Sequence, residues 1–359
     1  MSCPSTTLPT RTRSSRRSRT TPSRSCSSRD VTARPTVESC PKRMEFGPCG
    51  GVRSDGQCEM LPAPCVFDDA VPWSGAVAEP GPVSAPLILG DFSCSPFDAA
   101  DVVATAAILA RSCDAVLVGE HQNRPDFPPT IMGGLLLETG VTPWITLSCR
   151  DRNRIVLEQE LRGLAHVGVR TVFCVTGDGR GYDVRPDVTQ TFDLDGPRLV
   201  ALADSLGMLA AVPETPTAPP VAARPLRLVY KQHAGARLAV LNHVPSPSVA
   251  QEFVAAARAA GLTMPVVAGV AVFTDVVSAA VLQGLPGLEL EQGVVDDVLA
   301  ADDPVEAGIE AAVTEARNLL SIDGVEGINL SGSATARGTR FGAEVKAEVG
   351  ARIRRELGR

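Results

Sequence analysis

The sequence predicts an α/β protein, a (β/α)8 barrel preceded by a small cysteine-rich metal-binding module and a disordered N-terminal tail. Three observations carry that expectation. From residue 86 onward, short apolar runs alternate with longer stretches of helical spacing, eight pairs in all. Hydrophobic residues make up 44% of the 359 residues but aromatics only 4%, so the core must be built of Ala, Val and Leu, as where parallel strands are covered on both faces. Ahead of the alternation lie four cysteines in 26 residues rich in Gly and Pro, Cys40 to Cys65.

The elements follow in order. Strands are expected at 86–91, 115–120, 143–148, 171–176, 208–213, 238–243, 265–270 and 327–330. Helical spacing is clearest at 96–110, 153–166, 197–206, 248–260 and 342–357, with an extra helical stretch at 293–320 between the seventh and eighth strands. Eight βα units in sequence favour a closed barrel over an open doubly wound sheet. The resulting division is a tail at 1–36, a cysteine module at 37–68, a Pro/Gly/Ala linker at 69–85 and the barrel at 86–359.

Residues 1–34 carry eight arginines against one acid, with almost no large apolar groups, and cannot bury enough surface to order themselves. Such a segment reads as an unstructured tail, an overextended translation start or an organelle transit peptide; a start at Val31 or Val37 would keep all four module thiols. The net charge of −7 and the scarcity of Trp and Tyr, two of each, argue against a nucleic-acid reader. No apolar run reaches the length of a membrane span, and the expected location is the cytoplasm.

Cys40, Cys49, Cys58 and Cys65 are separated by eight, eight and six residues. In a chain with no secretory signal, clustered thiols are read as metal ligands before disulfides. The spacing fits no zinc finger and leaves a structural zinc and an iron–sulfur cluster both open. Cys94, Cys113, Cys149 and Cys174 sit in or beside apolar runs and read as small buried hydrophobes.

Reacting groups of a barrel stand where strands end and βα loops begin. That rule selects Asp91, Glu120, His121, Ser148, Cys149, Asp178, Glu214, Asn242 and His243. Carboxylates gathered at one mouth repel one another, which favours a proton on at least one. Glu120-His121, followed by Asp126, suggests a metal pair only weakly, since two ligands lack a third nearby, and His166 and His233 read as ordinary helix residues. The most specific local motif is Thr176-Gly177-Asp178-Gly179-Arg180-Gly181. It lacks the spacing of a dinucleotide fingerprint, so it reads either as a turn closing the fourth strand or as backbone brought close to a ligand.

Thr146-Leu147-Ser148-Cys149, Gly168-Val169-Arg170 and the run 172–178 resemble the His-Leu-Thr-Cys, Gly-Ile-Arg and Leu-Arg-Gly-Asp segments of methylenetetrahydrofolate reductases. Ala211-Val212-Pro213-Glu214 is similar to their Ala-Tyr-Pro-Glu, 231–236 to their Lys-x-x-Ala-Gly-Ala, 240–242 to their Ile-Thr-Gln and 265–270 to their Ile-Pro-Gly-Ile. The cysteine run resembles a module that occurs as the C-terminal domain of some of these reductases, here placed N-terminally.

The resemblance implies reduction of 5,10-methylenetetrahydrofolate to 5-methyltetrahydrofolate, an oxidoreductase step of one-carbon metabolism that feeds methionine biosynthesis. It implies Asp91 as general acid in place of the family glutamate, and Asp178 as the charge facing the iminium cation. Asn242, Glu214 and His243 would bind substrate; Gly119, Thr146, Thr176, Gly177 and Lys231 would line the cofactor, FAD in the family. At Gly119, Thr146 and Thr176 the family has Thr, His and Arg, and Arg224, Arg227 and Tyr230 replace an acid, an amide and an arginine. Direct hydride transfer from NADH or NADPH is therefore a second expectation. A folate-binding scaffold or electron-relay subunit, working with a partner reductase, is the alternative function; a folate-dependent methyl transferase or demethylase, with a metal thiolate receiving the methyl group, is a third and weaker reading.

Overall fold

The computed structural model describes residues 40–79, 81–180, 185–284, 289–332 and 335–358. The tail, Cys3, Cys26 and Gly181 lie outside them. Within the unit Pro35–Arg359, eight parallel strands close into a barrel in sequence order. They are β1 (Ile88–Phe92), β2 (Ala115–Val118), β3 (Pro143–Ser148), β4 (Thr171–Val175), β5 (Leu209–Glu214), β6 (Ala236–Leu241), β7 (Val266–Ala271) and β8 (Val325–Ser331). The helices are α1 (Ala99–Leu109), α2 (Pro129–Glu138), α3 (Arg154–Val167), α4 (Gly196–Ser205) and α5 (Arg224–His233), then α6 (Pro247–Ala259), α7 (Val276–Gln283), α8 (Gln292–Ala300), α9 (Pro304–Leu320) and α10 (Thr339–Glu356). All eight expected strands are present, and the expected stretch at 293–320 is two helices, α8 and α9, divided after Ala300.

The alternation of strand side chains decides what faces where. Leu89, Leu117, Trp144, Phe173, Leu238, Val240 and Val267 fill the barrel interior. Their neighbours Ile88, Val116, Ile145, Val172, Ala239 and Val266 pack outward under the helices. Stepping two residues from an interior position therefore aims Asp91, Thr146, Ser148 and Asn242 into the barrel at its C-terminal end. Glu214 shares a face with Ala210 and Val212, which pack outward, and so turns toward α5.

Several helix starts, those of α1, α3, α4, α7 and α9, are fixed by side-chain caps. Asn153 accepts the Val156 N–H at 3.1 Å ahead of α3, and Asp195 accepts the Arg198 N–H ahead of α4. Each such cap contributes about 1 kcal/mol. Gly168 ends α3 with φ 100°, a left-handed turn that disfavours other residues. The barrel closes by pairing β1 with β8, Leu89 opposite Asn329 and Gly90 opposite Leu330. At Gly327 a Cβ would fall on the Pro86 carbonyl oxygen, so the seam has room only for glycine.

Residues 40–79 hold one isolated antiparallel bridge, Gln57 to Pro64, and otherwise turns. Met44, Phe46, Val52 and Phe67 are buried, and Phe46 meets Trp73 with ring centroids 4.7 Å apart. The stretch 69–85 is anchored at several points: the Ala78 N–H donates to the His233 carbonyl at 2.9 Å, and Val83 and Ala85 pack against the interior cluster.

Candidate active site

A cavity of about 1040 Å³ opens at the C-terminal mouth of the barrel, walled in part by Glu120, Thr146, Arg150, Gly177, Asp178 and Glu59. A smaller one of about 250 Å³ adjoins it, walled by Asp178, Thr176, Asn242, Lys231, Lys42 and Cys49, with Glu214 and Gly177 also at its edge. Asp178 lines both. Its Oδ2 accepts from Gln122 Nε2 at 3.2 Å, and its backbone carbonyl faces Arg150 Nη1 at 3.5 Å. Arg150, 3% exposed, is tied to Asp151 and to the His121 carbonyl.

Glu120 pairs with Arg152 at 2.7 Å. Burial nonetheless raises its carboxyl from the ordinary value, against the pull of Arg152 and Arg150. His121 contacts Arg124 at 2.7 Å; burial first, and then the Arg124 charge, push its imidazole down.

Asp91 and His243 form a second group. Asp91 Oδ1 accepts from Asn329 Nδ2 at 3.0 Å and Oδ2 from the Ser331 hydroxyl at 2.6 Å, while Lys346 Nζ donates to its backbone carbonyl. His243 is 1% exposed and its Nδ1 has no hydrogen-bond partner among the described residues. Burial pushes its pKa down to about 4, although Asp91 nearby pulls the other way.

Glu214 is the centre of a buried charge network. Arg227 Nη1 and Lys231 Nζ each reach Glu214 Oε2 at 2.8 Å, and Arg224 Nη1 reaches Oε1 at 3.4 Å. Burial raises the carboxyl, but Lys231, Arg227 and Arg224 outweigh it and hold Glu214 well below the usual range. Burial and Arg227 push the Lys231 ammonium down to about 7 despite Glu214.

The structure thus gathers Asp178, Asn242, Thr176, Gly177, Lys231 and Glu214 about one cavity and sets Thr146 in the wall of the larger one. Gly119 lies along a side cavity of about 520 Å³ shared with Glu120 and Arg152. Asn242 Nδ2 is engaged by Thr215 Oγ1 at 2.9 Å. Of the side chains at flavin-contact positions, Thr176 Oγ1 accepts the Gly196 N–H at 2.9 Å and Lys231 is bound to Glu214 and the Pro213 carbonyl.

The four module cysteines divide. Cys58 and Cys65 flank the Gln57 to Pro64 bridge, and burial together with nearby Cys40 and Cys58 raises the Cys65 thiol. Cys49 turns instead to Glu59, with Sγ 3.3 Å from Oε1, and burial pushes its thiol up to about 11. Among the described residues no three His, Cys, Asp or Glu side chains are grouped so as to hold a metal ion. Cys94, Cys149 and Cys174 are buried and Cys113 is half-buried, each thiol raised by burial as small core residues should be.

Sequence reasoning missed Lys42, Glu59, Gln122, Asn329 and Ser331. The strand-end rule, applied to β8, would have found the last two; nothing in the sequence marks Gln122. Lys42 Nζ donates to the Gly177 carbonyl at 2.7 Å and forms an ion pair with Glu59. Burial opposes its charge, but neighbouring Cys49, Glu59 and Asp178 outweigh it and keep the ammonium above its ordinary value.

The sequence model described as methylenetetrahydrofolate reductase matches residues 119–332. The chain belongs to the methylenetetrahydrofolate reductase family. A second model, described as methylene-tetrahydrofolate reductase C terminal, matches residues 11–79 of this family member, at its N-terminal side. A search of curated proteins finds no match. Among solved structures, one is described as an uncharacterized protein from Clostridium thermocellum that binds two copies of 5-methyl-5,6,7,8-tetrahydrofolic acid. It is 12% identical, with a TM-score of 0.58 over 76% of this chain and 96% of that one, a likeness of fold. Another, 2,3-dimethylmalate lyase of the PEP mutase/isocitrate lyase superfamily, is 10% identical with a TM-score of 0.42 over 76% of this chain and 81% of that one. No helix among the described residues is long and apolar enough to cross a membrane.

Proposed function

We propose that this reductase-family protein reduces 5,10-methylenetetrahydrofolate to 5-methyltetrahydrofolate. The observation that carries the reading is the position of Asp178, at the junction of the two mouth cavities and beside Asn242. A fixed carboxylate there favours the iminium cation formed when the methylene bridge opens. Asp91 supplies the proton for that opening. Its 2.6 Å contact with the Ser331 hydroxyl serves either protonation state, because a protonated Asp91 can donate to the same oxygen. Glu120, the carboxyl that burial raises, is a second acid at the mouth. The fold likeness to a protein described as binding 5-methyltetrahydrofolic acid supports the folate class.

The hydride comes from a reduced nicotinamide or from a reduced flavin. The internal engagement of Thr176 and Lys231 supports direct transfer from NADH or NADPH to the iminium carbon. The test is NADH and NADPH oxidation by purified protein with methylenetetrahydrofolate, with and without added flavin, reading 5-methyltetrahydrofolate alongside. Turnover without flavin is the expected result. Turnover only with flavin would restore the flavin route, and none in either condition would favour a folate-binding scaffold or electron-relay subunit awaiting a partner.

A further inference from the structure

We propose that Lys42 and Glu59, both from the cysteine-bearing segment, are positioning residues for Asp178, so that this segment is a working part of the barrel mouth. The inference rests on the reading that Asp178 acts in the reaction.

Asp178 sits in a glycine loop, Gly177-Asp178-Gly179, which has little stiffness of its own. Both flanking peptide groups are held from the same place. Lys42 Nζ takes the Gly177 carbonyl at 2.7 Å, and the Gly179 N–H donates to Glu59 Oε2 at 2.9 Å. The ion pair between Lys42 and Glu59 joins the two contacts into a ring around the residue between them. Lys42 is 3% exposed and Glu59 Oε1 also contacts Cys49 Sγ, so neither side chain is a mobile surface charge. Met60 closes the far side: a Cβ on Gly179 would strike its side chain.

The segment is docked independently of this ring. Glu45 donates its N–H to Asp195 at 2.9 Å and pairs with Arg198 at 2.7 Å; Arg224 Nη2 donates to the Cys49 carbonyl at 2.9 Å. Mere attachment therefore does not need Lys42 or Glu59. A buried ion pair costs desolvation that an apolar pair would avoid. What it supplies here is direction, a donor for one carbonyl and an acceptor for one N–H on either side of a single carboxylate.

The experiment uses the full chain with Lys42→Met, Lys42→Arg and Glu59→Met. Displacing a reacting group by about 1 Å costs on the order of a hundredfold in rate. The expected result is that Lys42→Met lowers kcat by about that factor with KM for methylenetetrahydrofolate within about twofold. Lys42→Arg, which keeps a donor and a charge, recovers most of it. Hydrogen exchange over residues 176–180, at the Gly179 amide in particular, speeds up in Lys42→Met and Glu59→Met by more than at barrel-core amides, beyond what their loss of global stability accounts for. Wild-type exchange at that amide in Glu59→Met would overturn the proposal, and it can be read even where Lys42→Met fails to fold. So would a loss of kcat matched by an equal loss of folded protein in every variant. If the wild type shows no turnover, the reductase reading fails while the exchange measurement still decides whether the ring positions Asp178.

Discussion

Ser331, the last residue of β8, donates its hydroxyl to Asp91 Oδ2 at 2.6 Å, across the seam where β8 meets β1. Asn329, two residues earlier on the same face, holds the other carboxylate oxygen at 3.0 Å. The acid expected from the end of the first strand is therefore oriented by the end of the last. General acid catalysis contributes about 10²- to 10⁴-fold. Asp91→Asn is expected to lower kcat within that range and Asn329→Ala by about tenfold, with little change in KM. Steady-state kinetics read both. Wild-type kcat in Asp91→Asn would remove Asp91 from the proton transfer.

Glu214→Gln leaves Arg224, Arg227 and Lys231 around a neutral amide in a buried site. Breaking a buried ion pair from one side costs about 3 to 5 kcal/mol. Urea unfolding should record a loss of that size, with the m-value unchanged. A loss under about 1 kcal/mol would mean that solvent or relaxation compensates the stranded cations.

His243 makes stability depend on acid. Its pKa in the fold is about 4 against an ordinary 6.5, with burial as the cause, so the unfolded chain takes up the proton first as pH falls. The contribution is intact above about pH 6.5, is lost between there and pH 4, and amounts to on the order of 3 kcal/mol. His243→Gln is expected to flatten that part of the stability curve relative to wild type. Parallel curves for the two proteins over this interval would contradict the assignment.

Gly327→Ala places a methyl against the Pro86 carbonyl oxygen at the seam of the barrel. Backbone cannot step aside there as a long side chain would, and overpacking of this kind costs about 1 to 3 kcal/mol. The midpoint of chemical denaturation reads it directly. Gly119→Ala, with open space around its Cβ position, is the matched control and should leave stability within about 0.5 kcal/mol.

The barrel was legible because its signal is local and repeated. Each strand is an apolar run of four to seven residues, and each cap or turn sits next to it in sequence. Asp91, Asp178 and Asn242 were legible as strand-end residues for the same reason, and the structure sets Asp178 and Asn242 on one cavity. Glu214 was found at its strand end too, but the outward phase of Ala210, Val212 and Glu214 turns it to α5, and strand-end position alone carries no phase. Lys42 and Glu59 were not legible at all as site residues. They meet Gly177 and Gly179 across 135 and 120 positions of chain, and nothing local in Cys-Pro-Lys or Cys-Glu-Met announces a tertiary contact. The thiol spacing drew attention to a metal, and nothing in that spacing marks the contact of Cys49 with Glu59 at the barrel mouth.

Arg224 is wholly buried and grips the cysteine-bearing segment through the Cys49 carbonyl, not through a side chain. A grip on main chain is indifferent to what the gripped residue is. Substitutions at position 49 can accumulate over generations without costing that anchor, whereas the arginine itself has no such latitude. Drift at position 49 and constancy at the arginine that holds it is the pattern this contact would write into a lineage.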